Sequence, residues 1–281
     1  MTFIIDDGNP MVSIITPCFN SSKWLPLFFE QIRRQTLKNW ELIIVDDCSV
    51  DDSYNLSLEF ALKDCRVKVF KLDSNSGPSV ARNFGLNKSS GRFIAFLDTD
   101  DLWHPSKLLI QVSWMKSFSI PMSYHDYRHI SYDSKFVGRK VQGPDFFDWV
   151  TLHKRRGIGC LTVMFDRHLC NLPTFPEDSE GYIAEDLVAW LNVLKTGVVA
   201  RRLPLTLGYY RLSVNSRSSN KLKAVLSVFF IYRKLENLSL PKTIWFMLNY
   251  MIHSFFIHRF SRPSYNVEGL DYIDSIEEKN F

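Results

Sequence analysis

Between residues 11 and 101, apolar runs of strand length alternate with longer amphipathic runs, and this alternation constrains the fold more than any other feature of the chain. It predicts strands over 11–16, 40–46, 67–71 and 93–97, with helices over 23–35, 52–62 and 79–88 between them. Strands that alternate with helices are joined by crossovers, so this part predicts an α/β fold with a parallel sheet and helices on both faces. Ligands in such sheets sit at the carboxyl ends of the strands. Here those ends read Pro17-Cys18-Phe19-Asn20, Asp46-Asp47-Cys48-Ser49 and Asp98-Thr99-Asp100-Asp101, which gathers carboxylates at one rim.

The rest of the chain is less regular. A helix is predicted from His104 to about 118, with Pro105 in its first turn, where proline is favoured. Residues 120–180 suggest a strand over 122–127, a hairpin near 132–141, a helix near 145–152 and a strand over 160–165. A helix then opens at Glu185-Asp186 and runs to about 195, followed by short strands near 198–201 and 207–211. Residues 221–260 read as helical and rich in aromatics. These patterns divide the chain into an α/β part over 1–215 (regular over 11–101, irregular over 102–215), basic aromatic helices over 216–262 and an acidic tail over 263–281.

Composition excludes several classes. With 281 residues, 46% apolar, 23% charged and only 12 Gly and 12 Pro, the chain is neither collagen-like nor of low complexity. Five cysteines make an odd count with no C-x-x-C pair, and no histidine is spaced to complete a zinc set, which fits a reducing compartment. Acidic residues stand where a signal peptide needs basic ones, so a cytoplasmic location is expected. The net charge of +4 hides an asymmetry: residues 201–262 carry eleven Lys and Arg against one acid, Glu236. So basic a segment calls for an anionic partner. No nucleic-acid-binding motif is present, so nucleic acid is not that partner.

Two carboxylates one residue apart at a strand end, as in Asp98-Thr99-Asp100, suit a hard divalent cation such as Mg²⁺ or Mn²⁺ that also binds substrate phosphates. The same run is equally consistent with an acidic turn capping the helix that follows. A Walker A loop is excluded, because five residues separate Gly85 from Gly91 and Arg92 follows. A dinucleotide fingerprint is excluded as well, because Gly157-Ile158-Gly159 lacks the third glycine and precedes a strand.

Five blocks in order resemble the family 2 inverting glycosyltransferases of the GT-A fold. They are Val12-Ser13-Ile14-Ile15-Thr16-Pro17-Cys18-Phe19-Asn20, Glu41-Leu42-Ile43-Ile44-Val45-Asp46-Asp47-Cys48-Ser49, Asn75-Ser76-Gly77 with Ala81-Arg82-Asn83, Phe96-Leu97-Asp98-Thr99-Asp100-Asp101, and Glu185-Asp186. The resemblance implies that Thr16, Pro17, Asn20 and Asp46 surround the base and ribose of a nucleotide-sugar and that Arg82 and Asn83 line the same pocket. It further implies that Asp98 faces the ribose and sugar, that Asp100 holds a metal on the diphosphate, and that Asp186 is the base. A carboxylate pair opening a helix can also simply complement the helix dipole. The late run from Tyr210 to Ser218 is similar to the family's closing loop, with Ser213 and Asn215 near where a histidine often stands; Arg211 and Arg217 could neutralise phosphate there.

From 244 to 257, 11 of 14 residues are apolar, flanked by Lys242 and Arg259. The run falls short of the roughly 20 residues that span a bilayer. Two readings remain: a helix lying at an anionic membrane interface, with Trp245, Phe246 and Phe256 inserted, or a helix pair packed on the catalytic part. His125, His129 and His153, Trp114, Trp149 and Trp190, and Cys18 and Cys48 read as packing residues. The expectation is a metal-dependent inverting enzyme, peripheral on the inner face of the plasma membrane, that moves one sugar from a UDP-sugar to a glycan or lipid-linked acceptor in surface polysaccharide synthesis. A nucleotidyltransferase, or an inactive nucleotide-sugar-binding membrane subunit, is the alternative. Lack of spanning helices and of a Q-x-x-R-W motif argues against a processive synthase.

Overall fold

A computed structural model describes residues 10–155, 158–177, 184–212, 221–259 and 265–266. Its first half follows the alternation: β1 (Val12–Cys18), α1 (Leu25–Arg34), β2 (Trp40–Asp46), α2 (Ser53–Lys63), β3 (Val67–Lys71), α3 (Pro78–Lys88) and β4 (Phe93–Phe96). Strand β1 pairs in parallel with both β2 and β4, and β2 with β3. The register aligns Cys18 with Asp46, and Ile15 with Phe96, so the strands end level and their acidic extensions share one rim. Strands β1, β2 and β4 are almost wholly buried, as continuous apolar runs in a sheet covered on both faces should be.

Beyond β4 the parallel sheet of the first half is extended by strands of both directions. The chain continues as β5 (Leu102–Trp103), α4 (Lys107–Phe118), β6 (Met122–Ile130), β7 (Phe136–Val141), β8 (Phe146–Phe147), α5 (Trp149–Lys154), β9 (Met164–Asp166), α6 (Glu185–Leu194) and β10 (Ala200–Arg211). Strand β9 runs antiparallel to β4 and β6, and β7 antiparallel to β6, so the sheet is mixed. The strand expected over 160–165 is a 3₁₀ turn, Cys160–Thr162, followed by the short β9. The two strands expected over 198–211 are a single strand, β10, paired in parallel with β6. Its register shifts between Leu203 and Thr206, where Pro204 has no N–H for the ladder.

Two glycines fix the approach of α3 to the sheet. Gly77 has φ +88° and turns the chain into the helix, its N–H donating to Asp47 Oδ2 at 2.8 Å. At Gly85 a Cβ would lie 2.6 Å from Ile15 Cγ2, so only glycine lets α3 lie this close to β1. Below the rim an aromatic cluster of Phe96, Phe165, Phe175 and Trp190 joins β4, β9 and α6. At the far end of the sheet Glu41 accepts from Ser13 Oγ and Ser90 Oγ and pairs with Lys68 Nζ at 2.7 Å. These partners outweigh its burial and hold its carboxyl down at about 2.

The basic segment forms α7 (Lys221–Phe230), a π-helical turn (Ile231–Leu235) and α8 (Leu240–Arg259). Helix α8 is docked on α5, with Phe246 stacked against Trp149, His153 and Tyr232. Phe246, expected at a membrane, is therefore core, only 4% exposed, whereas its neighbour Trp245 is 49% exposed. A short strand, β11 (Tyr265–Asn266), pairs with β7. The Phe256 side chain, the loop 213–218 with Arg217, and the tail 267–281 lie outside the described residues. None of the helices among the described residues is long and apolar enough to cross a membrane.

Candidate active site

The loops that leave β1, β2 and β4 are tied to one another through short polar side chains. Asn20, in the left-handed region at φ +47°, receives the N–H of Val50 on Oδ1 and donates its own N–H to Ser49 Oγ. Ser21 N–H donates to Ser53 Oγ, and Thr99 Oγ1 donates to Ser21 Oγ at 2.8 Å. Asp47 receives the N–H groups of Ser76 and Gly77, which fastens the loop before α3 to the end of β2. Such cross-ties fix the rim geometry without help from a ligand.

Within this frame Asp46 is fully buried at the end of β2. One oxygen accepts Ser49 N–H at 3.0 Å, while Oδ1 has no donor from the chain; the buried Thr16 hydroxyl beside it on β1 is likewise unpartnered. Buried polar atoms are seldom left so. Pro17, the next residue of β1 after Thr16, is half-buried.

After β4 the acidic run divides by role. Asp98 is paired with Arg82 of α3, whose Nη2 donates to both carboxylate oxygens at 2.8 and 3.1 Å. The same guanidinium reaches Glu185 Oε1 at 3.5 Å and lies over the Phe175 ring. One arginine thus bridges the rim at the end of β4 to the first turn of α6, where Glu185 and Asp186 stand side by side. Asp186 Oδ1 accepts the N–H of Leu187. The Cys160 thiol sits among Arg82, Asp98, Glu185 and Asp186, and burial pushes it well above its ordinary value. It is a protonated, inert neighbour of the acidic pair.

Asp100 is mostly enclosed, and burial together with the Asp98 charge raises its carboxyl to about 6. Asp101 beside it is buried, accepts the backbone N–H of Arg211 at 3.0 Å, and is raised by burial and by the Asp100 and Asp98 charges. A crowd of carboxylates whose charged forms are disfavoured is what an added divalent cation relieves, and the oxygen donor at Asp100 suits Mg²⁺ or Mn²⁺. No group of three or more His, Cys, Asp or Glu among the described residues could hold a metal by itself. Asp100 would therefore hold it with a substrate's phosphate oxygens and water.

Two residues expected to contact a ligand are also held by contacts to the chain. The Arg211 guanidinium, expected to neutralise phosphate, is buried: Nε donates to the Asp100 carbonyl, and Nη1 to the Ser131 and Tyr132 carbonyls and Ser134 Oγ, while Nη2 has no partner from the chain. Its place is behind the acidic run, fastening it to the β6–β7 turn. Asn83, expected in the nucleotide pocket, instead clamps the segment before α6: its amide donates to the Phe175 carbonyl at 2.8 Å and to Glu177, and Oδ1 receives Phe175 N–H. Sequence reasoning missed Glu185 as a partner of Arg82, because 103 positions separate them.

The sequence profile for Glycosyl transferase family 2 matches residues 13–162, more than half of the chain. The chain belongs to glycosyl transferase family 2. This glycosyltransferase is 36% identical over 241 residues to TuaG of Bacillus subtilis (strain 168), which bears the name of a teichuronic acid biosynthesis glycosyltransferase, covering 86% of this chain and 94% of TuaG. It is 37% identical over 251 residues to WfgD of Escherichia coli, a UDP-Glc:alpha-D-GlcNAc-diphosphoundecaprenol beta-1,3-glucosyltransferase, covering 89% and 96% of the two chains. Among solved structures, S. aureus TarS residues 1–349 with UDP-GlcNAc superposes with a TM-score of 0.63 at 17% identity, covering 89% of this chain and 73% of that one. A mannosyltransferase from Pyrobaculum calidifontis with GDP-Man and Mn²⁺ superposes with 0.62 at 14% identity, covering 96% and 79%. The glycosyltransferase therefore has the GT-A fold expected of it.

Proposed function

We propose that this glycosyltransferase transfers one sugar, with inversion, from a UDP-sugar to a hydroxyl group of a glycan or lipid-linked acceptor in the synthesis of a bacterial surface polysaccharide. The observation that carries this is the Arg82 bridge: one guanidinium holds Asp98, on the donor rim, beside the Glu185-Asp186 pair that opens α6. A single displacement needs that juxtaposition, because the acceptor hydroxyl must lose its proton as it attacks the anomeric carbon from the face opposite the departing diphosphate. Asp186 takes the proton in this reading, the new bond joins acceptor oxygen to anomeric carbon, and the bond to the diphosphate oxygen breaks. Mg²⁺ or Mn²⁺ held by Asp100 would supply charge neutralisation for the leaving diphosphate.

The orphan Oδ1 of Asp46 and the Thr16 hydroxyl lack partners that a base and ribose can supply. Uracil, with an imide N–H between two carbonyls, presents such a donor, and UDP-sugars are the donors named for WfgD and bound to TarS. WfgD's acceptor is a diphosphoundecaprenol-linked sugar, which supports a lipid-linked acceptor and a working place on the inner face of the plasma membrane. The test is a panel of nucleotide-sugars with Mn²⁺, read first by thermal stabilisation and then by products with a lipid-linked acceptor. Released UDP with a glycosylated acceptor supports the reading. Release of pyrophosphate, or stabilisation by purine nucleotides alone, overturns it.

A further inference from the structure

Helix α8 has two faces, and only one belongs to the catalytic core. Thr243, Phe246 and Met247 turn inward, whereas Ile244, Trp245, Leu248, Met251 and Ile252 are each 44–56% exposed. Their spacing of one, three, three and one is that of a single stripe along a helix. Five large apolar side chains in a row on a surface form a patch of the kind that marks an interaction site rather than scattered exposure.

The charge around the stripe narrows its partner. Lys154 Nζ lies 4.5 Å over the Trp245 ring, and Arg155 and Lys242 are exposed nearby in the sequence of α5 and α8. The only acid between 221 and 259 is Glu236. It is turned inward, receiving Trp149 Nε1–H at 2.9 Å and pairing with Lys195, so it adds no outward negative charge. An apolar stripe that has Lys154, Arg155 and Lys242 among its described neighbours in sequence and space suits an anionic surface that also offers hydrocarbon.

We propose that the Ile244–Ile252 stripe of α8 is the face by which this protein docks on an anionic phospholipid bilayer. The proposal deepens the reading of a lipid-linked acceptor and rests on it for its purpose. The docked face is rigidly coupled to the site: Phe246 and Tyr232 hold α8 to α5, the Tyr232 hydroxyl donating to the His153 carbonyl at 2.7 Å, and α5 packs on α6, whose first turn carries Glu185 and Asp186. A helix lying in the interface with its stripe inserted therefore sets the height and tilt of the acceptor side above the membrane.

The experiment is co-sedimentation of the full chain with vesicles of phosphatidylcholine alone or with 30% phosphatidylglycerol, in low and high salt (concentrations chosen to lie on either side of about 0.15 M). Wild type should sediment at least about tenfold more with the anionic vesicles, and less as salt rises. The triple change Trp245→Ser, Leu248→Ser, Ile252→Ser should lower that binding at least about tenfold with unchanged thermal unfolding, because those side chains are exposed. UDP binding with Mn²⁺, measured by calorimetry on the same samples, reports the catalytic reading separately and should not change. Unaltered sedimentation of the triple variant, equal binding to neutral and anionic vesicles, or a concentration-dependent dimer that the triple change abolishes would each overturn the proposal. Loss of UDP binding in wild type would instead strike the functional reading.

Discussion

Arg82 Nη2 stands 2.8 Å from Asp98 Oδ1 while Nη1 of the same side chain stands 3.5 Å from Glu185 Oε1, so one buried guanidinium spans the two halves of the site. Lysine has the charge but not the fork, and cannot hold both carboxylates at once. Arg82→Lys should leave a folded protein whose kcat falls by about one to two orders of magnitude, because α6 loses its tether and a small displacement of a catalytic group is costly. Arg82→Met should also lose about 2–3 kcal/mol of stability, less than for a fully enclosed pair because Asp98 is partly solvated. Steady-state kinetics and denaturant unfolding check both; a Lys variant with the wild-type kcat would show that the bridge only packs.

Asp100 sets binding against stability. Its carboxyl is raised to about 6 in the fold from an ordinary 3.8, so between those values the folded state keeps a proton that the unfolded chain has lost. Stability without metal therefore falls as pH rises from about 4 to about 6. Asp100→Asn removes this cost and should raise stability at pH 7 by on the order of 1–3 kcal/mol. The same change should abolish any metal-dependent part of UDP affinity. Calorimetry with UDP and Mn²⁺ and thermal unfolding without metal should move in opposite directions; a variant that is destabilised and still binds with metal dependence contradicts the assignment.

Glu41 has the opposite sign and sits at the far end of the sheet. Its folded value of about 2 lies below the ordinary 4.5, so its contribution is complete above about pH 4.5 and disappears as pH falls toward 2. Glu41→Gln should cost about 2–3 kcal/mol at pH 7 by weakening the bonds from Ser13, Ser90 and Lys68, and should leave UDP affinity unchanged. The difference in stability between wild type and variant, followed by urea titration, should shrink steadily below pH 4.5.

The parts of this architecture that are visible in the sequence are those governed by local period. Strands β1 to β4 are short apolar runs between helices, and their ends carry the acids, so the sheet, its rim and Asp46, Asp98 and Asp100 could be read directly. Strand β10 could not, because Pro204 interrupts the pattern at the bulge where the strand in fact continues. The tasks of Arg211 and Asn83 were hidden for a different reason. A basic residue after a strand reads as a phosphate ligand, and nothing local reveals that Arg211 faces the Ser131 and Tyr132 carbonyls some 80 positions earlier. Composition marked α8 as either interfacial or packed; Phe246 is packed in the core, while Trp245 beside it is half exposed.

The proposal that Asp186 is the base, with Glu185 acting through Arg82, separates into two variants. Glu185 Oε1 lies 3.5 Å from Nη1 of Arg82, the guanidinium that also holds Asp98. Asp186 has one oxygen receiving the N–H of Leu187 in the first turn of α6. Asp186→Asn keeps the shape and the hydrogen bond capacity of the helix start but removes the basic oxygen, so kcat should drop by at least about a hundredfold with donor affinity intact. Glu185→Gln should act through Arg82 instead: a smaller loss in kcat, with a fall in stability that Asp186→Asn does not show. Single-turnover transfer with saturating acceptor, together with calorimetric UDP affinity and thermal unfolding for both variants, separates the two roles. Near-normal turnover in Asp186→Asn with a hundredfold loss in Glu185→Gln would move the base to Glu185 and make Asp186 a residue that merely complements the amino end of its helix.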